Sequence, residues 1–161
     1  MKELVTCLWF DGNASAAVRF YTELFPNSST AASMQSLDDS LPAEEPLAID
    51  FTINGSRFQA LNGGPHFKPN EAVSFVVTCK DQAEVDHYWD ALTADGGEES
   101  MCGWLKDKFG FSWQIVPERL EELMTTSTPE VQQRVMDAFM KMRKLDIAEI
   151  EAAAAGINSK S

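Results

Sequence analysis

Two glutamines occupy the same place in a pattern that occurs twice in the chain. Gln59 ends Gly-Ser-Arg-Phe-Gln at 55–59, and Gln114 ends Gly-Phe-Ser-Trp-Gln at 110–114. A glutamine amide donates and accepts hydrogen bonds, and its carbonyl oxygen can coordinate a cation weakly. Because side chains alternate between the two faces of a strand, each glutamine faces away from the aromatic residue before it. The pattern predicts one hydrogen-bonding amide in each half of a pocket, with a glutamine satisfied by neighbouring backbone as the alternative.

Cysteine and histidine are the other residue types with nucleophilic or acid–base chemistry. Cys102 precedes Lys106 and Lys108, whose positive charges would lower the pKa of a nearby thiol. Cys102 is therefore a candidate nucleophile, and a buried, unreactive thiol is the favoured alternative. His66 follows Gly-Pro at 64–65 in a predicted loop and is a candidate proton-transfer group, although a histidine without a visible partner is weak support for catalysis.

The spacing of the cysteines also indicates the compartment. Cys7, Cys79 and Cys102 are odd in number and far apart, and no Cys-x-x-Cys pair occurs, so neither a disulfide framework nor a zinc site is predicted. The first residues, MKELVTCLWFDGN, show no secretion signal. The apolar stretches are too short to span a bilayer. We therefore expect reduced thiols, a cytoplasmic location and no membrane partner.

Composition limits the classes of protein and partner. The chain has 161 residues, of which 44% are hydrophobic and 24% charged, values that exclude a disordered or low-complexity chain and allow one domain or two small fused modules. The formal net charge is −12. A protein that binds a phosphate backbone needs a cationic face, so a nucleic-acid partner is not expected.

The first half of the chain predicts a β-α-β-β-β module. Apolar and β-branched residues predict a strand, Asn13 is the expected N-cap of a helix that Pro26 ends, and Asn54-Gly55 is a hairpin signal between the last two strands. An acidic loop, DDSLPAEEP, is expected to be solvated. The predicted strands are 3–10, 30–37, 46–53 and the segment SRFQALN that follows the hairpin turn.

The same order of elements then repeats. Residues 72–79 predict a strand, Asp81 with Glu84 forms a capping box at the start of a helix, and short strands follow near 98–106 and 111–116. The turn Lys-Asp-Lys at 106–108 is expected to be solvated. Tyr-Thr-Glu-Leu at 21–24 aligns with Trp-Asp-Ala-Leu at 89–92, in addition to the repeated glutamine pattern. Two anchors in the same order indicate an internal duplication.

The last part of the chain predicts helices. Pro129 is well placed at the start of one helix, and Asp146 with Glu149 forms a capping box for another. We predict an α+β fold of tandem β-α-β-β-β modules forming a curved mixed sheet, with C-terminal helices. The predicted boundaries are a domain at 1–118, made of modules at about 1–65 and 70–118, a helical extension at 119–155 and a disordered tail at 156–161.

Several segments together resemble the PhnB-like branch of the vicinal oxygen chelate superfamily, which includes glyoxalase I, bleomycin-resistance proteins and extradiol dioxygenases. They are FYTELFP, FQALNGGP, VSFVVTC, DQAEVDHYWDAL, CGWLKDKFGFSWQIVP and VMDAFMKMRKLDIAEIE. The branch is often labelled 3-demethylubiquinone-9 3-methyltransferase. The resemblance implies that each module curls its sheet into half of a cup, that paired modules enclose a concave site, and that the protein is a homodimer.

The resemblance also implies where a metal would be held. Metal-dependent members place His, Gln or Glu ligands on the first and last strand of each module, which here are positions near Thr6, at Gln59, near Ser74 and at Gln114. These residues supply neither imidazole nor negative charge, so a tightly held metal is not expected, although weak divalent coordination stays open. Trp104, an aromatic residue on a predicted strand, is a further pocket candidate, with sheet core as the alternative.

Three functions are compatible with the sequence. The first is a small-molecule binding or resistance-type protein without a tightly held metal. The second is an enzyme of the superfamily, either the methyltransferase of the label or a metal-assisted lyase, isomerase or dioxygenase, with Cys102 or His66 as the available proton-transfer groups. The third is an interaction protein acting through its C-terminal helices. No cofactor is predicted, because the chain lacks the Gly-rich strand-to-helix turn typical of Rossmann-like cofactor domains.

Overall fold

The computed structural model of the chain describes residues 4–36, 41 and 45–157. The chain divides into two compact units, Met1–Pro69 and Asn70–Ser161. Most of the predicted acidic loop and the last four residues of the predicted disordered tail lie outside the described residues. Within the described residues, no helix combines the length and the apolar character needed to cross a membrane.

The first unit has the predicted β-α-β-β-β order. Its elements are β1 (Thr6–Phe10), α1 (Ala14–Leu24), β2 (Ser29–Met34), β3 (Ala48–Ile53) and β4 (Ser56–Asn62). The four strands form one sheet in the order β1-β4-β3-β2. β1 runs parallel to β4, and the other neighbours are antiparallel. A parallel pair needs a crossover connection, which α1 begins after β1.

One face of this sheet is covered by α1. Tyr21 is fully buried on the helix, and its ring stacks on Phe51 of β3 with 6.5 Å between the ring centroids. Phe51 in turn lies 5.5 Å from Phe58 on β4. The aromatic residue of the repeated glutamine pattern therefore packs under the helix, as the strand alternation predicts. We call the opposite side of this sheet its helix-free face.

Asn13 is the N-cap residue of α1, as predicted, but its side chain makes no capping hydrogen bond. Instead, Asn62 Oδ1 accepts a hydrogen bond from the backbone N–H of Ala14 at 3.1 Å, and Glu45 Oε2 accepts from Ser15 at 3.3 Å. The unpaired N–H groups at the helix start are satisfied by side chains from the far end of the module, a contact that the local sequence does not indicate.

The second unit has its own four-stranded mixed sheet, which repeats the arrangement of the first. Its elements are β5 (Ser74–Cys79), α2 (Gln82–Thr93), β6 (Glu98–Glu99), β7 (Trp104–Lys106) and β8 (Ser112–Pro117). The strand order β5-β8-β7-β6 matches that of the first sheet. Asp81 caps α2 as predicted, since its carboxylate accepts a hydrogen bond from the backbone N–H of Glu84 at 2.9 Å. The Glu84 carboxylate accepts from the backbone N–H of Lys80 at 3.0 Å rather than from that of Asp81, so the second bond of the predicted capping box is displaced by one residue.

The turn between β7 and β8 differs from the solvated turn predicted for residues 106–108. Asp107 is only 2% exposed. Its Oδ1 accepts hydrogen bonds from the backbone N–H groups of Phe109 and Phe111, at 2.9 and 3.0 Å, and its Oδ2 accepts from the Trp113 indole at 2.8 Å. A carboxylate can remain buried when several N–H groups hold its charge. The buried Asp107 carboxylate therefore stabilises the turn through these three hydrogen bonds.

Three C-terminal helices complete the second unit: α3 (Glu118–Thr126), α4 (Pro129–Phe139) and α5 (Ile147–Ala154). The predicted starts of α4 and α5 are confirmed, and α3 was not resolved as a separate helix by the sequence analysis. The helices share a small apolar core, formed by Leu120, Leu123, Val135, Leu145 and Ile150.

The extension is joined to the second module by backbone hydrogen bonds. The N–H of Cys102 donates to the carbonyl of Met142 at 2.7 Å, and the N–H of Gly103 donates to Arg143 at 2.8 Å. Gln82 at the start of α2 donates to the carbonyl of Leu145 at 3.1 Å. Because these bonds reach the turn directly before β7, the extension supports the strand that carries Trp104.

Candidate functional site

Gln59 lies on the helix-free face of the first sheet, at its central strand β4. Its neighbours in register are Cys7 on β1 and Asp50 on β3. Gln59 Nε2 donates to Asp50 Oδ1 at 2.9 Å. Because a carboxylate only accepts hydrogen bonds, this contact fixes which end of the amide faces Asp50. The amide oxygen is therefore the end that is left for another donor.

Gln114 occupies the equivalent place in the second sheet. It lies between Val76 on β5 and Trp104 on β7. Gln114 Nε2 donates to the Ser74 hydroxyl at 2.8 Å. Both glutamines are half-buried, and both are held by a side chain rather than by the backbone partner that the sequence analysis considered. Among the described residues, neither amide oxygen accepts a hydrogen bond.

The register shows which residues correspond between the modules. Cys7 on β1 is the register partner of Gln59, and Val76 on β5 is the register partner of Gln114. Cys7 and Val76 therefore occupy equivalent positions. Thr6, the predicted first-strand position, pairs with Phe58 instead and shares the face that α1 covers. Thr6 is thus displaced by one residue from the glutamine row. Ser74 lies on the glutamine face but one row away, where it pairs with Ser112.

Asp50 is a charged residue beside Gln59 that the sequence analysis missed. It lies in the strand AIDFTI, where it is half-buried between buried apolar neighbours. The signal that could have revealed it is the alternation itself, since Asp50 and Thr52 are the polar residues at every second position of that strand. Asp50 places a carboxylate on the helix-free face of the first sheet.

In the described part of the chain, His66 makes no hydrogen bond to Gln59, and Cys102 makes none to Gln114. His66 is exposed in the segment after β4. Cys102 precedes β7 and has a left-handed backbone conformation, with φ of 60°. Its thiol lies 3.7 Å from the carbonyl oxygen of Met140 and 3.5 Å from the Met140 sulfur. The Cys102 side chain therefore contacts the C-terminal extension.

The cysteines should differ strongly in reactivity. Cys79 is fully buried at the end of β5, and burial, followed by the nearby carboxylates of Glu84 and Asp81, raises the pKa of its thiol to about 12. Since only the thiolate attacks, Cys79 should resist alkylation at pH 8 while the protein is folded. Mass spectrometry after iodoacetamide treatment, with and without urea, measures this. Rapid labelling of Cys79 in the folded protein would contradict the prediction.

The residues on the glutamine rows do not fit a divalent cation. In the second sheet the row consists of Val76, Gln114 and Trp104, of which only Gln114 has an oxygen donor. In the first sheet, the Asp50 carboxylate already accepts the Gln59 amide. Over residues 4–36, 41 and 45–157, no group of three or more His, Cys, Asp or Glu residues is arranged to hold a metal. The second row thus offers a cation one neutral oxygen, and the first row offers one carboxylate that is already hydrogen-bonded, so neither row balances the charge of a divalent ion.

Comparison with known proteins identifies relatives over most of the chain. The family model described as 3-demethylubiquinone-9 3-methyltransferase matches residues 2–116. A solved structure described as a putative 3-demethylubiquinone-9 3-methyltransferase, PhnB protein, from Bacillus cereus has 32% sequence identity and a TM-score of 0.64. The match covers 72% of this chain and 99% of that chain. None of the curated proteins compared with the chain matches it.

Two more distant structures share the fold. Protein PA1353 from Pseudomonas aeruginosa has 20% identity and a TM-score of 0.58, with 73% of this chain and 98% of that chain covered. The genomically encoded fosfomycin resistance protein FosX from Listeria monocytogenes has 19% identity and a TM-score of 0.54, with 75% and 94% covered. The family model ends at residue 116, so α3, α4 and α5 lie outside the matched region.

Proposed function

Since the chain belongs to the 3-demethylubiquinone-9 3-methyltransferase family of PhnB-like vicinal oxygen chelate proteins, we propose that it binds a small molecule on the glutamine-bearing face of a sheet, without a tightly held metal. The observation that carries this proposal is the glutamine amide at the equivalent position of each module. Gln59 and Gln114 occupy the same register position, and each has its Nε2 held by a neighbouring side chain.

The two amides differ in what they present to a ligand. The Asp50 carboxylate can only accept, so the Gln59 amide oxygen is the free end, and a ligand hydroxyl or N–H group is its complement. The Ser74 hydroxyl can donate or accept, so the Gln114 amide can turn either its oxygen or its NH₂ group to a ligand. A buried polar group that gains a partner contributes about 1 kcal/mol or more to binding. The aromatic Trp104 beside Gln114 supplies apolar contact area in the same row.

The chemistry of the residues favours binding over catalysis. The candidate nucleophile Cys102, for which an unreactive thiol is the favoured alternative, contacts Met140 of the extension. Asp50 is the one carboxylate on the first glutamine row, and it is engaged by Gln59. Because both groups already have partners, we propose binding rather than catalysis.

We expect replacement of Gln114 by leucine to weaken ligand binding about tenfold, because leucine fills similar volume but removes the amide. The experiment is a thermal-shift screen of a metabolite collection against the purified protein, followed by isothermal titration of the compounds that stabilise it. Gln133→Leu is the matched control, since Gln133 is an exposed glutamine on α4. Its affinity for the same compounds should equal that of the parent protein.

Two results would overturn the proposal. One is a screen in which no compound stabilises the parent protein, or in which Gln114→Leu and Gln133→Leu bind every compound equally well. The other is metal analysis of the protein as isolated that finds a stoichiometric, tightly bound divalent ion. The homodimer and the cytoplasmic location stay predictions, and size-exclusion chromatography with light scattering tests the first of them.

A further inference from the structure

A cleft opens at the β6–β7 edge of the second sheet, beside the face that carries Gln114. Its volume is about 350 Å³, and its lining includes Trp104, Lys106, Ser112 and Glu98. The strand register explains why these side chains meet. Glu98 on β6 pairs with Lys106 on β7, and Lys106 pairs with Ser112 on β8. The three residues form a row across the sheet, next to the row that holds Gln114 and Trp104.

Ser112 is the polar residue in this row whose hydrogen-bonding capacity is unused. It is 2% exposed, and its hydroxyl has no hydrogen-bond partner among the residues that the structure describes. An unpaired buried hydroxyl is unfavourable, and a bound partner at this place would satisfy it. Ser112 lines the cleft, but its oxygen is covered in this structure, so the cleft has to widen slightly before a ligand reaches the hydroxyl.

The charges around the cleft favour a cation. Three carboxylates line it, those of Glu71, Glu98 and Glu99, against the single ammonium of Lys106. Lys106 is already paired with Glu71. Glu99 accepts a hydrogen bond from the Trp89 indole at 3.0 Å and lies 3.6 Å from Arg143. Within the described part of the chain Glu98 forms no direct ion pair, although its carboxylate, after that of Glu71, helps to raise the pKa of Lys106. The whole chain carries a net charge of −12.

We propose that this cleft binds the primary ammonium group of an organic amine. The ammonium donates to the Ser112 hydroxyl and pairs with the Glu98 carboxylate. The apolar part of the ligand lies against the Trp104 ring, whose face also attracts the nearby ammonium charge. The inference rests on the proposed binding function and specifies its ligand class. An anion is disfavoured here because it would have to displace Glu71 from Lys106 and approach Glu98.

The test uses three probes of similar shape and different charge: phenethylamine, 3-phenylpropionate and 3-phenylpropanol. We expect phenethylamine to bind the full-length protein and to shift the Trp104 indole N–H signal in a ¹⁵N-correlated NMR spectrum, assigned with Trp104→Phe. Ser112→Ala should weaken phenethylamine about tenfold and Glu98→Gln about fivefold. Glu121→Gln, which removes an exposed carboxylate of α3 outside the cleft, should have no effect.

Lys106→Gln is expected to strengthen the binding of phenethylamine, whereas Ser112→Ala and Glu98→Gln should weaken it. Removing the ammonium frees Glu71, so phenethylamine should bind more tightly and 3-phenylpropionate more weakly than to the parent protein. Ser112→Ala removes an unpaired hydroxyl, so it should leave the melting temperature unchanged or raise it, which separates lost affinity from lost folding.

The outcomes separate this inference from the proposed function. The protein could bind 3-phenylpropionate or 3-phenylpropanol more tightly than phenethylamine, while Gln114→Leu still weakens binding. That result would overturn the ammonium assignment and leave the binding function standing. Phenethylamine binding that Ser112→Ala and Glu98→Gln do not change would also overturn the assignment. Failure of every probe and of the metabolite screen would overturn both.

Discussion

Replacing Asp107 by alanine is expected to lower the free energy of unfolding by about 4 kcal/mol. The substitution removes the acceptor of three hydrogen bonds, from the backbone N–H groups of Phe109 and Phe111 and from the Trp113 indole. Each donor that stays buried without a partner costs about 1–3 kcal/mol. Urea denaturation followed by circular dichroism measures the change.

Two further variants sharpen this test. Asp107→Asn keeps an oxygen for the two backbone donors but places an NH₂ group against the indole, so it should lose about half as much stability. Asp137→Ala removes an exposed aspartate of α4 and should change stability by less than about 0.5 kcal/mol. If Asp107→Ala loses no more than Asp137→Ala, the turn is not organised by its buried carboxylate.

The second large effect is expected at Gly103, where the second module meets the C-terminal extension. Its φ is +82°, and a Cβ added there would lie 2.8 Å from the carbonyl oxygen of Ile115 and 3.0 Å from Leu145 Cδ1. The backbone cannot yield easily, because Gly103 also donates to Arg143 and accepts from Ile115, both at 2.8 Å. Gly103→Ala should therefore cost about 3 kcal/mol, from left-handed strain and from the contact with the backbone.

Gly64→Ala is the matched control for Gly103→Ala. Gly64 has nearly the same φ, +84°, but a Cβ at this position meets nothing within 4 Å. It should lose only the strain of the left-handed conformation, about 1 kcal/mol. The difference between the two variants measures the cost of placing a Cβ against the Ile115 carbonyl and the Leu145 side chain. Equal losses in urea denaturation would contradict this close packing around Gly103.

The elements of the fold were predictable because their signals are local. A hydrophobic period, a capping box or an Asn-Gly turn involves residues within a few positions of one another. Asp81 and Asp146 cap their helices as predicted, and Asn54-Gly55 has positive φ at both residues, as the tightest hairpin turns require. The repeated Phe-Gln and Trp-Gln pairs likewise determine which side chain faces the helix, since alternation in a strand is exact.

The details of the site depend on contacts that the local sequence does not contain. Pairing Cys7 rather than Thr6 with Gln59 is a matter of register between strands about fifty residues apart, and a shift of one residue reverses the faces. Asp50 and Ser74 became the partners of the glutamines because neighbouring strands brought them there. The turn that contains Asp107 was expected to be solvated, because the burial of this side chain depends on residues that pack around it in the folded protein.

The sequence alone thus determined the duplicated module, its helices and strands, and the two glutamines that mark its centre. Only the tertiary structure decided which side chains hold those amides, which carboxylate is buried and which hydroxyl is left unpaired. The physical reason is distance along the chain: propensities and caps act over one or two turns, whereas hydrogen-bond partners and burial are set by strand register and packing.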